Sequence, residues 1–249
     1  SEEDAAYFTA EWTRENISER GTLGALYRVW GDGKQMVKGD IFDYFGVVGK
    51  SAEELRKEGY VVWTPIHARG SFLGEGDTPT FLNLIDNGLD GYREQSFGGW
   101  GGYAQSSAPA SFASGFAALE SFAANPVARQ LPRAPTHPFL AAAQRDFAAR
   151  LIWATTPSFA AANHHPRLAA RSSRIPSARA GDVVRLRVAS SDPDGDDVAV
   201  RWWRWDEADS YAGAVALDRS TGSRTSFTVP TGAEPGQTIH IVAEATDRG

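Results

Sequence analysis

The stretch that decides the fold reads Ser71-Phe-Leu-Gly-Glu-Gly-Asp-Thr-Pro-Thr-Phe-Leu-Asn-Leu-Ile-Asp-Asn-Gly-Leu89. It brings Glu75 and Asp77 to the start of a predicted helix, which Thr78 caps and Asn87-Gly88 ends. Backbone N–H groups at a helix N-terminus favour anions, and a carboxylate fixed in a tight turn can ligate a hard cation. The same residues also fit a capped helix with two solvated acids. The predicted apolar face of this helix comprises Phe81, Leu82, Leu84 and Ile85.

An apolar run precedes this stretch. Residues Tyr60 to Ile66 predict a short strand that is buried on both faces. The order of strand, glycine-rich loop, acids and helix would place Glu75 and Asp77 beyond the carboxyl end of that strand. Ligands bind at this position in open α/β sheets.

A second glycine-rich segment, Gly98-Gly-Trp-Gly-Gly-Tyr103, follows further along the chain. Glycines at this density let the backbone approach another group closely. Trp100 in its centre fits two interpretations, a platform for a sugar ring and an aromatic plug over a loop.

Composition narrows the function classes. The chain has 249 residues, 42% of them hydrophobic, with a net charge of −6, eight tryptophans and no cysteine. Disulfides, thiolate metal sites and cysteine nucleophiles are therefore excluded. The acidic balance argues against nucleic-acid polymers and anionic membranes as partners, and no apolar run reaches the roughly 18 residues of a transmembrane helix.

The predicted elements change in character along the chain. Helices are predicted from Glu2 to Glu19, from Ser51 to Gly59 with a capping box, and from Phe139 to Trp153. After Pro166 the pattern becomes one of short alternating runs between turn signals, which is typical of a β-sandwich. The predicted strands contain residues 183–188, 198–202, 226–229 and 239–244.

Two features of the second half of the chain have more than one functional interpretation. Alternation would direct Arg201, Trp203 and Trp205 to the outer face of a strand, where the tryptophans would serve an interface, a glycan surface or packing. The run Ser191-Asp-Pro-Asp-Gly-Asp196 resembles a calcium loop in its number of acids. It lacks the downstream bidentate glutamate of an EF-hand, and a polar turn explains it equally well.

Longer motifs match a known family. The first half contains Tyr27-Arg-Val-Trp-Gly-Asp-Gly-Lys-Gln-Met36, Gly74-Glu-Gly-Asp-Thr-Pro-Thr-Phe-Leu82 and Gly98-Gly-Trp-Gly-Gly102. The second half contains Arg201-Trp-Trp203 and Pro235-Gly-Gln-Thr-Ile-His240. With these motifs the chain resembles a family of exported bacterial proteins, often labelled cellulose-binding or of unknown function. The resemblance covers most of the chain, except Ser106 to Pro138.

This family has a nucleoside-hydrolase-like domain followed by an immunoglobulin-like domain. The resemblance therefore implies an α/β fold for residues 1–162, as the C-terminal part of a parallel-sheet nucleoside-hydrolase-like domain. It implies an all-β immunoglobulin-like sandwich for residues 163–249, without its last strand. An aspartate-rich motif near the N-terminus of the family has no counterpart here, so we expect a piece of a longer protein that lacks the general base.

The implied activity is hydrolysis of a glycosidic bond, by metal-assisted attack of water at an anomeric carbon. Asp77 matches a family aspartate that ligates calcium, so the implied cofactor is Ca²⁺ and the implied catalytic residues are Glu75 and Asp77. The candidate substrate-binding residues are Trp100, Thr78 and Gly99.

Two other functions remain in competition with hydrolysis. One is a non-catalytic carbohydrate-binding protein, which would use Trp100, Trp203 and Trp205 as platforms. The other is a structural role, in which the β-domain is a spacer. The expected partner is a carbohydrate or glycoside, and the expected location is secreted or periplasmic. Whether the protein forms a homodimer is left open by the sequence.

Overall fold

The computed structural model describes residues 2–34, 39–74, 79–93, 97–101 and 138–247. The chain divides into two compact units. The N-terminal unit comprises Ser1–Thr78 and Pro138–Asn163, and the C-terminal unit comprises Pro79–His137 and His164–Gly249. Within the described ranges, no helix is both long and apolar enough to cross a membrane. The division predicted at residues 162 and 163 stays a prediction.

Short helices form most of the N-terminal unit. They are α1 (Glu2–Ala6), α2 (Ala10–Thr13), a π-helical turn (Arg14–Ser18), α3 (Gly21–Leu26), α4 (Ala52–Lys57) and the longer α5 (Leu140–Thr155). The predicted helix from Glu2 to Glu19 is thus broken into pieces. Thr9 causes one break, because its extended backbone and its side chain, which accepts the Trp12 N–H at 3.2 Å, start a new helix there.

The described residues of this unit include two hydrophobic cores, and helix α5 packs on the first of them. Ala148 and Leu151 of α5 are buried with Ile17, and aromatic side chains surround them. The Tyr27 ring stacks on Phe72 with centroids 5.3 Å apart. Burial raises the pKa of Tyr27, whose hydroxyl donates to a backbone carbonyl at 2.7 Å. The predicted helix from Phe139 to Trp153 is confirmed.

The second core of the N-terminal unit forms around aromatic rings. Trp30, Tyr44, Leu55 and Val62 are its buried members. Helix α4 supplies Leu55, and its predicted capping box is present: Ser51 Oγ accepts the Glu54 N–H, and Glu54 Oε2 accepts the Ser51 N–H at 2.8 Å. The core is therefore assembled from one capped turn of helix and three loop side chains.

The prediction of a buried strand from Tyr60 to Ile66 is wrong. This segment has no strand pairing, and Val61 and Trp63 are 43% and 63% exposed whereas Val62 is buried. Its backbone bonds to a loop, through the Val61 N–H and the Ile41 carbonyl at 3.1 Å. In the described ranges of the N-terminal unit, the β-pairing present is the isolated antiparallel bridge between Val29 and Phe72. The predicted parallel sheet has no counterpart in those ranges.

Antiparallel strands form the C-terminal unit. They are β1 (Arg167–Ala170), β2 (Val183–Ser191), β3 (Ala199–Arg204), β4 (Arg224–Thr228) and β5 (Ile241–Thr246). One sheet has the order β1-β2-β4, and β3 pairs with β5 in a second. The register places Val184 opposite Phe227, and both are buried in the core of this unit. The four predicted strands are confirmed as β2 to β5.

Trp205 does not face outward, and this part of the sequence prediction is wrong. It is 3% exposed and lies just beyond β3, which ends at Arg204. The two-residue alternation of side chains therefore stops before Trp205. Trp202 is buried as expected, and its indole N–H donates to the Gly222 carbonyl at 2.7 Å.

A buried carboxylate lies beside the end of β3. The Asp209 side chain has no solvent-exposed surface, and it pairs with Arg204 at 2.5 Å and with the His240 ring at 3.0 Å. Arg204 also donates to the carbonyls of Tyr211 and Gly213. These bonds tie the chain after β3 to the residue before β5.

Candidate functional site

The segment after the acidic turn begins with a short 3-10 helix, Pro79–Leu84. Two residues of its predicted apolar face, Phe81 and Leu84, are 64% and 66% exposed, whereas Leu82 and Ile85 are partly buried. The structure thus has a short helix of about two tight turns where the sequence predicted a longer helix. Three of the candidate residues that precede it lie outside the described residues: Glu75, Asp77 and Thr78.

Asn83, at the end of this turn, holds the glycine-rich loop. Its Oδ1 accepts the Gly101 N–H at 2.7 Å. An added Cβ at Gly99 would lie 2.4 Å from the same oxygen, and one at Gly91 would lie 2.4 Å from the Gly98 carbonyl oxygen. Both distances are far below a van der Waals contact. The backbone of the loop can approach its neighbours this closely because these positions have no side chain.

The described glycines of this loop therefore allow close packing within the protein. Gly99 is buried against Asn83, and Trp100 is partly buried within the turn that the Asn83 bond holds. The group that the loop approaches is the protein itself. A direct contact of Gly99 or Trp100 with substrate stays a prediction.

A side-chain hydrogen bond and an ion pair stabilise the turn between the 3-10 helix and the glycine-rich loop. The Asn87 side chain accepts the Leu89 N–H at 3.1 Å, and the predicted Asn87-Gly88 turn is present. Asp90, with a left-handed φ of 60°, pairs with Arg174 at 2.8 Å. Arg174 also donates to the Gly88 carbonyl. The segment is thereby tied to the chain between β1 and β2.

The aspartate-rich turn after β2 is organised by its own backbone. Asp192 Oδ1 accepts the N–H groups of Asp194 and Asp196 at 2.8 and 3.2 Å. The Asp194 carboxylate accepts the His164 N–H at 2.7 Å. In the part of the chain that the structure describes, no group of three or more histidine, aspartate or glutamate side chains is placed to hold a metal ion. The polar-turn interpretation fits these bonds.

A polar and aromatic group lies on one face of the β3–β5 pair. Glu244 Oε2 accepts from Arg201 at 2.7 Å and from the Trp203 indole N–H at 3.2 Å. Arg201 is exposed and Trp203 is partly buried. The two side chains of β3 thus converge on one carboxylate of β5, which fixes the orientation of the Trp203 ring.

Sequence reasoning missed one exposed tryptophan. Trp63 belongs to the segment that was predicted to be a buried strand, yet its ring is well exposed. Pro65 two residues later was a signal against that strand, because proline cannot donate to a sheet ladder.

Two family models of known proteins match the two ends of the chain. Residues 1–103 match a family model described as "Cellulose-binding Sde182, nucleoside hydrolase-like domain". Residues 183–249 match a model described as "Cellulose-binding protein Sde0182, C-terminal domain". Both ends of the chain are similar to the Sde182 family. The family resemblance stated from the sequence motifs is confirmed.

A solved structure supports the same relationship. It belongs to a nucleoside hydrolase-related hypothetical protein from Saccharophagus degradans that is described as associated with carbohydrate metabolism. The identity is 30% and the TM-score 0.54, and the match covers 74% of this chain. It covers 46% of the other chain, so this chain spans about half the length of its structural relative. Comparison with curated proteins gave no match.

The Sde182 matches divide the candidate residues between two domains. Glu75, Asp77, Thr78, Gly99 and Trp100 fall within the nucleoside-hydrolase-like match. Trp203 falls within the C-terminal match, whose strands β2 to β5 form the β-sheet region. The fold is therefore a nucleoside-hydrolase-like domain plus a C-terminal β-sheet region.

Proposed function

We propose that this protein binds a carbohydrate, with a polysaccharide of β-linked glucose as the first candidate ligand. One observation carries the proposal: the two matched regions, at opposite ends of the chain, both match domains of a protein that is described as cellulose-binding. The solved relative, described as associated with carbohydrate metabolism, supports the same class of ligand.

Two partly exposed tryptophans are the proposed contacts. Aromatic rings bind sugars through the flat apolar face of the pyranose, provided that the ring is held in place. Trp100 lies on the loop that Asn83 fixes, and the orientation of Trp203 is fixed by Glu244. Trp205 is buried and no longer a candidate.

The test is binding to insoluble cellulose, measured by depletion of protein from solution. We expect the wild-type chain to bind, Asp77→Asn to bind equally, and Trp100→Ala to bind about tenfold more weakly, as for loss of one aromatic contact. A wild-type chain that stays in solution at every cellulose loading would contradict the proposal.

The second candidate is hydrolysis of a glycosidic bond. It is favoured by the nucleoside-hydrolase-like match over residues 1–103, which includes Glu75 and Asp77. These two carboxylates are the proposed catalytic groups for attack of water at an anomeric carbon, and Thr78 and Gly99 are proposed to contact the substrate.

Calcium is proposed as the cofactor of this reaction, with Asp77 as a ligand. The described residues do not assemble a metal site of three or more acidic or histidine side chains. The hydrolysis proposal therefore rests on the two carboxylates and on the nucleoside-hydrolase-like match.

The test for hydrolysis uses a panel of aryl glycosides, nucleosides and polysaccharide oligomers. Each substrate is incubated with calcium, with a chelator and with Asp77→Asn. Turnover that both the chelator and the substitution abolish would support the calcium-dependent hydrolase. Cellulose binding without turnover on any substrate would leave carbohydrate binding as the function.

Two further proposals follow from the same resemblance. The two antiparallel sheets of the C-terminal unit form an immunoglobulin-like sandwich, and the protein functions outside the cytoplasm. Fractionation of the source cells tests the location, because a protein found with cytoplasmic markers alone would contradict it.

A further inference from the structure

Trp63 is held on a rigid backbone but leaves most of its ring in solvent. The residue before it, Val62, is buried in the second core, and its carbonyl accepts from Arg56 at 3.4 Å. The residue after it, Thr64, is fixed by the hydroxyl of Tyr44 through both backbone groups. That hydroxyl accepts the Thr64 N–H at 2.9 Å and donates to the Thr64 carbonyl at 3.1 Å.

The side chain of Trp63 is supported as well. The Phe45 ring meets it edge-on, with centroids 5.7 Å apart and planes at 89°. Phe45 in turn packs at 5.0 Å on the buried Trp30. A line of rings therefore runs from the core to Trp63. Trp63 as a residue is 63% exposed, although hydrogen bonds hold its backbone neighbours and Phe45 packs on its ring.

Other apolar side chains are exposed close to Trp63. One lies two residues earlier in the chain, and the others belong to the loop that the Val61 N–H bonds to through the Ile41 carbonyl. The exposed side chains are Ile41, Phe42 and Val61. Large exposed apolar patches mark binding surfaces, so an exposed tryptophan with exposed apolar residues close to it in the chain is a candidate for ligand contact. An exposed aromatic ring with apolar neighbours suits a ligand that presents a flat apolar face.

We propose that Trp63, supported by Phe45, is a stacking platform for the pyranose rings of a neutral β-linked polysaccharide. This inference rests on the proposed carbohydrate binding, and it locates a contact in the N-terminal unit that the sequence did not suggest. A fixed tryptophan loses little conformational entropy on binding, and the equatorial hydroxyls of β-linked glucose leave both ring faces apolar. Trp63 lies within residues 1–103, which match the nucleoside-hydrolase-like domain of a protein described as cellulose-binding.

The experiment compares binding isotherms on microcrystalline cellulose for the wild-type chain and four variants. Trp63→Ala removes the platform, whereas Trp63→Phe keeps an aromatic face. Phe159→Ala is the matched control, because Phe159 is a similarly exposed aromatic residue of the same unit. Trp100→Ala reports on the site of the proposed function. Far-ultraviolet circular dichroism and thermal unfolding of each variant establish that it is folded.

We expect Trp63→Ala to bind roughly tenfold more weakly, which is the loss of one aromatic contact, with Trp63→Phe in between and Phe159→Ala unchanged. If the wild-type chain binds and a folded Trp63→Ala binds equally well, the inference is overturned while the proposed function stands. If Trp63→Ala instead changes only the oligomeric state, the surface is a protein interface and the inference is again overturned. If the wild-type chain does not bind, the proposed function fails first.

Discussion

The two compact units are stabilised by different kinds of interaction. The N-terminal unit has five α-helices in its described ranges, four of them with six residues or fewer. Isolated helices below roughly a dozen residues are marginal in water, so this unit depends on side-chain packing around its aromatic rings. The C-terminal unit instead has antiparallel backbone ladders and the buried Asp209 network.

This difference indicates which substitutions should destabilise each unit most. Loss of one ring contact in the N-terminal unit loosens several short elements at once. In the C-terminal unit the backbone bonds are shared along whole strands, and the sensitive point is a charge that has no access to water. The following substitutions test this contrast, from the largest expected effect to the smallest.

Asp209→Ala should destabilise the C-terminal unit most. It leaves Arg204 and His240 without their shared carboxylate, and removal of one partner from a buried ion pair costs about 3–5 kcal/mol. Urea unfolding followed by circular dichroism measures the change. Asp206→Ala, at an exposed position in the neighbouring turn, is the control. Equal unfolding midpoints for the two variants would contradict the role of the network.

Gly99→Ala should disrupt the glycine-rich loop. The new Cβ would lie 2.4 Å from Asn83 Oδ1, and overpacking of this kind costs about 1–3 kcal/mol. Gly232→Ala is the matched control in the same unit, since nothing lies within 4 Å of its added Cβ. Thermal unfolding distinguishes them. A Gly99→Ala variant as stable as the control would show that the loop has room for a side chain.

Tyr44→Phe should weaken the N-terminal unit by about 1 kcal/mol, because it removes the hydroxyl that bonds to both backbone groups of Thr64. It should also loosen the backbone next to Trp63, seen as faster hydrogen exchange of the Thr64 amide, whose N–H the Tyr44 hydroxyl accepts in the wild-type chain. Tyr60→Phe, at the edge of the same core, is the control and should have a smaller effect.

Acid should weaken both units slightly. The Ser51 N–H lowers the pKa of Glu54, and the Ser226 N–H lowers the pKa of Asp218. Both folded pKa values lie below the ordinary values of 4.5 and 3.8, so the stabilisation is present above these and is lost as the pH falls through the lowered ones. Thermal midpoints from about pH 6 to about pH 3 should fall less steeply for Glu54→Gln and Asp218→Asn. An unchanged slope in both variants would contradict this assignment.

Sequence patterns predicted the C-terminal unit better than the N-terminal one, for a physical reason. Alternation within β2 to β5 reports burial of one face, and the partner strands repeat the same pattern. The run from Tyr60 to Ile66 carried no such information. A continuous apolar run is compatible with a buried strand and also with a loop that is hydrogen-bonded to a tyrosine distant in sequence. The run itself does not distinguish these two structures.

The candidate site could be predicted only in part. Local signals gave the Asn87-Gly88 turn and the glycine-rich loop. The bond from Asn83 to Gly101 joins residues 18 positions apart, and the exposure of Trp63 depends on Tyr44 and Phe45. Such contacts have no periodic signature in the sequence. Trp205 shows a related limit, because alternation cannot tell where a strand ends.

The Asp90–Arg174 pair has a practical consequence for dividing the protein. Asp90 lies within the matched region 1–103, whereas Arg174 lies in the interval before the second match at 183–249. Expression of the two matched regions as separate pieces would discard Arg174 and leave a carboxylate at a left-handed backbone position without its closest cation. The bond between Asp90 and Arg174 is therefore kept only in a recombinant protein that contains both residues, and a piece that starts at residue 183 loses it.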